Sequence, residues 1–347
     1  MLRFIFRKLF YGLLVLAGVV VVVFFLFQGF GDPARLVLGQ TGDSATIKNI
    51  RRELALDQPR WKQFVGYLND VSPLAVHTQT EIQEKQLKGF FIGGETKIGI
   101  KWPYLRRSYQ TKKQVGEVLL EAIPGTLTLA IAAMLLATLL GVFLGVVAAI
   151  NKGSWMDTGA VMSSIVGISA PSFFMGIVLA YLFGFVLSNY TGLQMTGSLY
   201  DIDPFGGKSL QLKNLILPAI TLGIRPLAII TQLTRSAMLD VLNQDFIRTA
   251  YAKGLNKRRV VWLHALRNAL NPVITAVTGW FAELLAGAFF VEYIFGWKGI
   301  GKITVDALEK LDFPVVMGSV LITATFFILV NILADILYGW VDPRAQV

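Results

Sequence analysis

Residues 235–272 read RSAMLDVLNQDFIRTAYAKGLNKRRVVWLHALRNALNP, the one long polar, basic interruption in a C-terminal two-thirds that is otherwise almost entirely apolar. The pattern predicts two helices hinged at a glycine. Leu242, Phe246 and Ala250 recur at i, i+4 spacing and make a narrow apolar stripe on the first. Gly254 stands where a left-handed C-cap is needed. Asn256 is placed to cap a second helix that carries Val260, Leu263, Leu266 and Leu270 inward. Asn271-Pro272 is expected to close that helix, because proline lacks the N–H donor and restricts the residue before it. Seven Lys/Arg against two Asp place the stretch on the cytoplasmic side of a membrane. The plainest reading of these residues is a basic amphipathic helix lying on the inner leaflet.

Composition supports a membrane setting. Of 347 residues 54% are hydrophobic and only 16% charged, and several uncharged runs exceed the roughly 20 residues that span a bilayer as helix. The net charge of +10 resides at membrane flanks and in loops, which argues against nucleic-acid binding. There is no cysteine, so disulfides, thiol catalysis and cysteine metal sites are excluded. His77 and His264 are too few and too scattered for a metal cluster.

Taken in order, residues 1–28 hold a short basic tip (Arg3, Arg7, Lys8) and the uncharged run Leu9–Phe27, read as an uncleaved first span with its N-terminus inside. Residues 29–116 are polar, carry both charge signs and form a large extracytoplasmic loop. Amphipathic pieces are expected at Ser44–Leu56 and Gln58–Leu68, and a small hairpin over FFIGGETKIGIKW, with Gly93-Gly94 as its turn signal. Residues 117–347 form the remaining core, with spans at Ile123–Ile150, Thr158–Leu187, Leu215–Leu233, Val273–Phe295 and Phe313–Val341, and a cytoplasmic loop over 236–271. Gly141 and Gly145 allow close helix approach. Pro171 marks a packed kink or a lining position. Arg225 needs a cavity, a carboxylate or an interface to snorkel to, and Glu283 and Asp335 are candidate partners; Glu292 is a further carboxylate in or near a span.

The motif RTAYAKG followed by LNKRRVVWLHALRNALNP resembles the EAA loop of bacterial ABC-importer permeases in the dipeptide/oligopeptide subfamily. Against the family pattern E-A-A-x-x-x-G, Gly254 and Ala250 match, whereas Arg248 and Thr249 stand at the glutamate and first alanine; His264 and Arg267 depart further on. These departures follow the subfamily's own variant, D-[YF]-x-R-T-A-x-A-K-G-L. A second match is FFVEYIFGWKGIGKITVDALEKLDFPVV, where Glu292, Phe295, Gly299, Gly301, Asp306, Asp312 and Pro314 occupy family positions and Lys298 departs from a proline.

The resemblance implies an all-α integral membrane protein with six transmembrane helices, of the type I importer kind, in a bacterial cytoplasmic membrane with both termini inside. It implies a coupling surface of Asp245, Phe246, Arg248, Thr249, Ala250, Lys253 and Gly254 docked on an ATPase. The implied partners are two ABC ATPase subunits, a second homologous permease in a heterodimer, an extracytoplasmic solute-binding protein and the lipid bilayer. No Walker A motif occurs, so ATP is expected on partner subunits and no cofactor on this chain. The alternatives are a secondary transporter, which Arg225, Glu283, Glu292 and Asp335 favour but the lack of an inverted repeat opposes, and an intramembrane enzyme, for which no catalytic constellation is visible.

Overall fold

The structure, a computed structural model, describes residues 2–28, 56–203 and 207–341. Nearly all of the expected Ser44–Leu56 piece lies outside the described residues. In chain order the elements are α1 (Leu2–Gln28), α2 (Arg60–Val71), β1 (Leu74–Thr78), α3 (Gln79–Glu84), β2 (Gly89–Gly93), β3 (Thr96–Lys101) and α4 (Val115–Ile150). There follow α5 (Trp155–Ser169), α6 (Ser172–Tyr181), β4 (Tyr200–Asp203), β5 (Gly207–Leu210), α7 (Lys213–Leu242), α8 (Asp245–Ala252), α9 (Leu266–Gly287), α10 (Phe289–Ile294), α11 (Ile300–Glu309) and α12 (Phe313–Val341). The chain divides into two compact units, Met1–Ile123 with Ile303–Thr325, and Pro124–Lys302 with Phe326–Val347.

Among the described residues, four helical stretches are long and apolar enough to cross a membrane: Phe6–Phe27, Val115–Ile150, Lys213–Leu242 and Phe313–Ile336. A fifth crossing arises if Trp155–Ser169 and Ser172–Val186 count as one, although they meet at 108°. The expected span Thr158–Leu187 is thus broken at Pro171, the residue read as a kink, into two helices. Ala170 and Pro171 both leave the helical region, and Pro171 caps α6 from just before Ser172, where its missing N–H breaks no helical bond.

The first unit is not all helix. β1, β3 and β2 form an antiparallel sheet in that order, with Ile98 opposite Val76 on one side and Ile92 on the other. The hairpin β2–β3 falls where the Gly93-Gly94 signal placed it; Gly93 has φ +137, a backbone region that glycine alone enters freely. LAVHT adds β1 by alternation: Ala75 and His77 turn inward while Leu74 and Val76 turn outward. The Asn69 amide closes the outer edge of β1 by bonding both the N–H and the C=O of Val76. Buried Asp70 gathers Lys85 at 2.6 Å and Arg106 at 3.3 Å, and its carbonyl accepts from buried Lys101. α2 seats on the end of α1, with Phe24 stacked on Tyr67 at 5.5 Å and tilted on Phe64 at 5.1 Å. Asp312 accepts from the Ser108 hydroxyl and, at 2.9 Å, from the Tyr109 N–H, tying the loop after β3 to the start of α12.

The second unit is organised on α7, which packs on α5, α6 and α9. Its core joins Leu129, Ala133 and Ala137 of α4 to Leu217, Leu222 and Ile230 of α7, and to Val291, Phe295 and Trp297. Small residues set the approach: a Cβ on Gly141 would lie 2.9 Å from the Ile230 side chain. α7 continues through Arg225-Pro226 to Leu242, and α9 continues through Pro272 to Gly287, so Asn271-Pro272 does not close a helix. Proline is tolerated inside such helices when packing holds the chain helical around it, and α9 packs along α7. The expected span Val273–Phe295 is likewise corrected: α9 stops at Gly287, and Glu292 sits on the separate α10.

Candidate functional site

Within the basic stretch, α7 ends at Leu242 and α8 begins only at Asp245, so Leu242 does not belong to the short helix. The turn between them is compact, with Gln244 extended and its carbonyl accepting from Ile247 N. α8 ends as its sequence predicts. Gly254 has φ +80, and Leu255 N returns to the Ala250 carbonyl at 3.3 Å. Asn256 then accepts from Arg259 N at 2.9 Å and starts the next helical turn.

α8 has two distinct faces. Ile247 and Ala250, three residues apart, are buried against Val146 and Ala149 of α4, Met238 and Val241 of α7, and the π-helical turn Val260–Ala265. Phe246, Arg248, Thr249 and Lys253 are exposed with Asp245, and Gly254 has open space around it. Ala250 is thus corrected from the outward stripe to the inward face: with Phe246 pointing out, the buried row is 247/250. Arg248 Nη1 reaches Asp245 Oδ1 at 3.3 Å, an exposed contact that orients the side chain but contributes little stability.

The next segment also departs from simple 3.6-residue spacing. The π-helical turn inserts a residue's worth of rotation, so Val260, Val261, Ala265, Ala269 and Val273 face inward while Leu263 is exposed. The predicted row Val260, Leu263, Leu266, Leu270 is corrected accordingly.

A residue pair unmarked by spacing braces this region. Asp157 at the start of α5 receives Arg235 of α7 through Nε at 2.5 Å and Nη2 at 2.9 Å, and Gly153 N at 2.9 Å. The guanidinium and the backbone donor together satisfy both oxygens of the Asp157 carboxylate. Arg235→Ala is therefore expected to lower stability by about 2 kcal/mol, equally at pH 5 and pH 8, in thermal unfolding of the solubilised protein. A loss confined to one end of that range would contradict the pairing.

The intramembrane candidates do not converge. Pro171 sits exposed at the α5–α6 break. Arg225 lies over the Trp280 ring at 5.5 Å, and among the described residues it forms no ion pair with Glu283 or Asp335; an aromatic face takes the place of the expected carboxylate. Glu283 is exposed on α9 and Asp335 half-buried on α12. Glu292 is fully buried, and its Oε2 accepts from Gly301 N at 2.7 Å and Lys302 N at 3.2 Å at the start of α11. Nearby, Trp297 Nε1 donates to the Gly125 carbonyl at 2.9 Å. Glu292 therefore holds backbone in a glycine-lined cradle.

Residues 141–347 match the family described as binding-protein-dependent transport system inner membrane component. Residues 1–130 match that family's N-terminal region. The chain is 38% identical to the di/tripeptide transport system permease protein DppB of Pseudomonas aeruginosa, with all of this chain and 99% of the relative aligned. It is 37% identical to the dipeptide transport system permease protein DppB of Escherichia coli K12 over the same shares. It is 34% identical to the glutathione transport system permease protein GsiC of Salmonella choleraesuis, again over 100% and 99%. Among solved structures, the MetNI methionine ABC transporter in inward-facing form is similar with a TM-score of 0.50 and 15% identity, covering 65% of this chain and 96% of that one.

Proposed function

Because the chain belongs to the family of binding-protein-dependent transport system inner membrane components, we propose that it is the membrane-spanning permease subunit of an ATP-driven importer of short peptides. Its full-length similarity to the di/tripeptide and dipeptide permeases supports the substrate class. The chain is a multi-pass inner-membrane subunit that performs transport without catalysis of its own. ATP binds to and is hydrolysed on two separate ABC ATPase subunits, and this chain carries no cofactor. An extracytoplasmic solute-binding protein delivers the peptide, and a second, different permease completes the path. Six crossings, with α9 and the bent α5–α6 pair counted as spans, put both termini and α8 on the cytoplasmic side and the loop after α1 outside.

The observation that carries the mechanism is the two-faced α8. Phe246, Arg248, Thr249 and Lys253 are free to enter a groove on the ATPase, and Ile247 and Ala250 are wedged among the ends of α4 and α7. A close-packed contact transmits displacement, because its atoms have no voids to move into. ATP-driven closure of the ATPases therefore moves α4 and α7 together and shifts the permease between inward- and outward-facing states. Two of the four groups that favoured ion coupling have other partners: Arg225 rests on Trp280 and Glu292 holds backbone.

Affinity purification from native membranes in mild detergent tests this reading. The wild type is expected to bring down the ATPases and a second permease. Phe246→Asp and Thr249→Trp, both on the outer face, are expected to lose at least about tenfold of the ATPase, a cost of one hot-spot residue, while the second permease stays. Variants that keep their ATPase, or a wild type that purifies alone, sink the coupling role of α8.

A further inference from the structure

The three-stranded sheet of the first unit has one face packed on helices and one face that is apolar and uncovered. Leu74 and Phe90 flank Ile100 across the strands, and Val76 and Ile92 flank Ile98. These six side chains, with Trp102 just beyond β3, are each 48–79% exposed. A contiguous apolar face of this kind on a solvated module marks an interaction surface.

Two observations indicate its occupant. The module is tied at both ends to helices read here as membrane spans. α2 packs on the end of α1 through Phe24, Phe64 and Tyr67, and β3 is followed by a short segment pinned to the start of α4 through Val115 N to the Arg106 carbonyl. The surrounding charge is basic: residues 85–113 hold eight Lys/Arg and one Glu. Lys88, Arg107, Lys112 and Lys113 are exposed, the last pair just before α4. An apolar face with a tryptophan at its margin and a lysine-rich border complements an anionic lipid surface.

We propose that this sheet face seats in the headgroup–acyl boundary of the leaflet where α1 ends and α4 begins, drawn there by anionic phospholipid. The proposal rests on the reading of α1 and α4 as spans. The sheet then acts as a float that fixes the height and tilt of the extracytoplasmic module relative to the bilayer.

The chain contains no cysteine, so a single introduced thiol reports one position. Ile98→Cys, on the face, Glu95→Cys, at the hairpin tip, and Val22→Cys, exposed on α1, are labelled with a polarity-sensitive fluorophore. The labelled full chain, in its complex, is reconstituted in vesicles of phosphatidylethanolamine and phosphatidylglycerol. The Ile98 label is expected to emit at shorter wavelength than the Glu95 label and to be quenched several-fold more strongly by brominated lipid than by aqueous iodide. Replacing phosphatidylglycerol with phosphatidylcholine is expected to weaken that lipid quenching. An Ile98 label quenched by iodide as strongly as the Glu95 label overturns the proposal, because the face is then open to water. A label protected from both quenchers also overturns it, because a protein then covers the face. Quenching of the Val22 label by brominated lipid checks the span reading separately, and ATPase co-purification with the same preparation checks the importer reading.

Discussion

Gly145→Leu is expected to yield no folded, assembled permease. A Cβ at this position would lie 2.5 Å from the Thr234 Cβ and 2.7 Å from the Thr231 carbonyl oxygen, on a helix that cannot retreat. Val146 and Ala149 beside it are buried in the cluster that also holds α8. Overpacking a close-packed site costs about 1–3 kcal/mol for added methylenes, and here the obstruction includes backbone. The alanine variant is expected to survive with lowered thermal stability, and Gly159→Ala, where nothing lies within 4 Å, to match the wild type. Size-exclusion profiles and thermal unfolding of the three variants decide it. A monodisperse leucine variant with wild-type stability would mean that α4 and α7 do not approach as closely as described.

Glu292→Ala is expected to be the most damaging substitution outside the helix contacts. The carboxylate is fully buried and serves two backbone N–H groups, those of Gly301 and Lys302. Its removal strands both donors, at about 1–3 kcal/mol each, and opens a cavity beside Trp297. Glu292→Gln keeps an acceptor oxygen and is expected to lose less than half as much. Gly299→Ala should reproduce the alanine phenotype from the other side, since its Cβ would collide with the Glu292 carboxylate. Stability and peptide uptake measured together separate the roles. If Glu292→Ala unfolds at the wild-type temperature yet abolishes uptake, the residue belongs to the transport path and the cradle is not its purpose.

The family match over FFVEYIFGWKGIG now has a physical content. Gly299 and Gly301 are small because Glu292 and the Phe289 backbone occupy the space where a side chain would stand. Asp312 of the same segment serves the Ser108–Tyr109 turn. Neither role is visible in one dimension, since a buried carboxylate and a transport carboxylate look alike as letters.

What could be read from the chain alone was whatever local chemistry controls. Long uncharged runs announced a membrane protein because hydrocarbon excludes charge. Gly254 and Asn256 announced the end of one helix and the start of another because caps act within a turn or two. The Gly93-Gly94 hairpin followed for the same reason. Tertiary structure alone decided the rest. Asp157 and Arg235 meet across 78 residues; the side of α8 on which Ala250 lies depends on what α4 and α7 present; the π-helical turn that turns Leu263 outward is selected by packing, since a sequence of ordinary helix formers contains no mark of an extra residue per turn. Pro272 was expected to end a helix and does not, because packing of α9 along α7 keeps the chain helical despite the backbone bond that proline removes. Short-range hydrogen bonding and solvent partition are written residue by residue, whereas the pairing of distant surfaces is settled only when those surfaces meet.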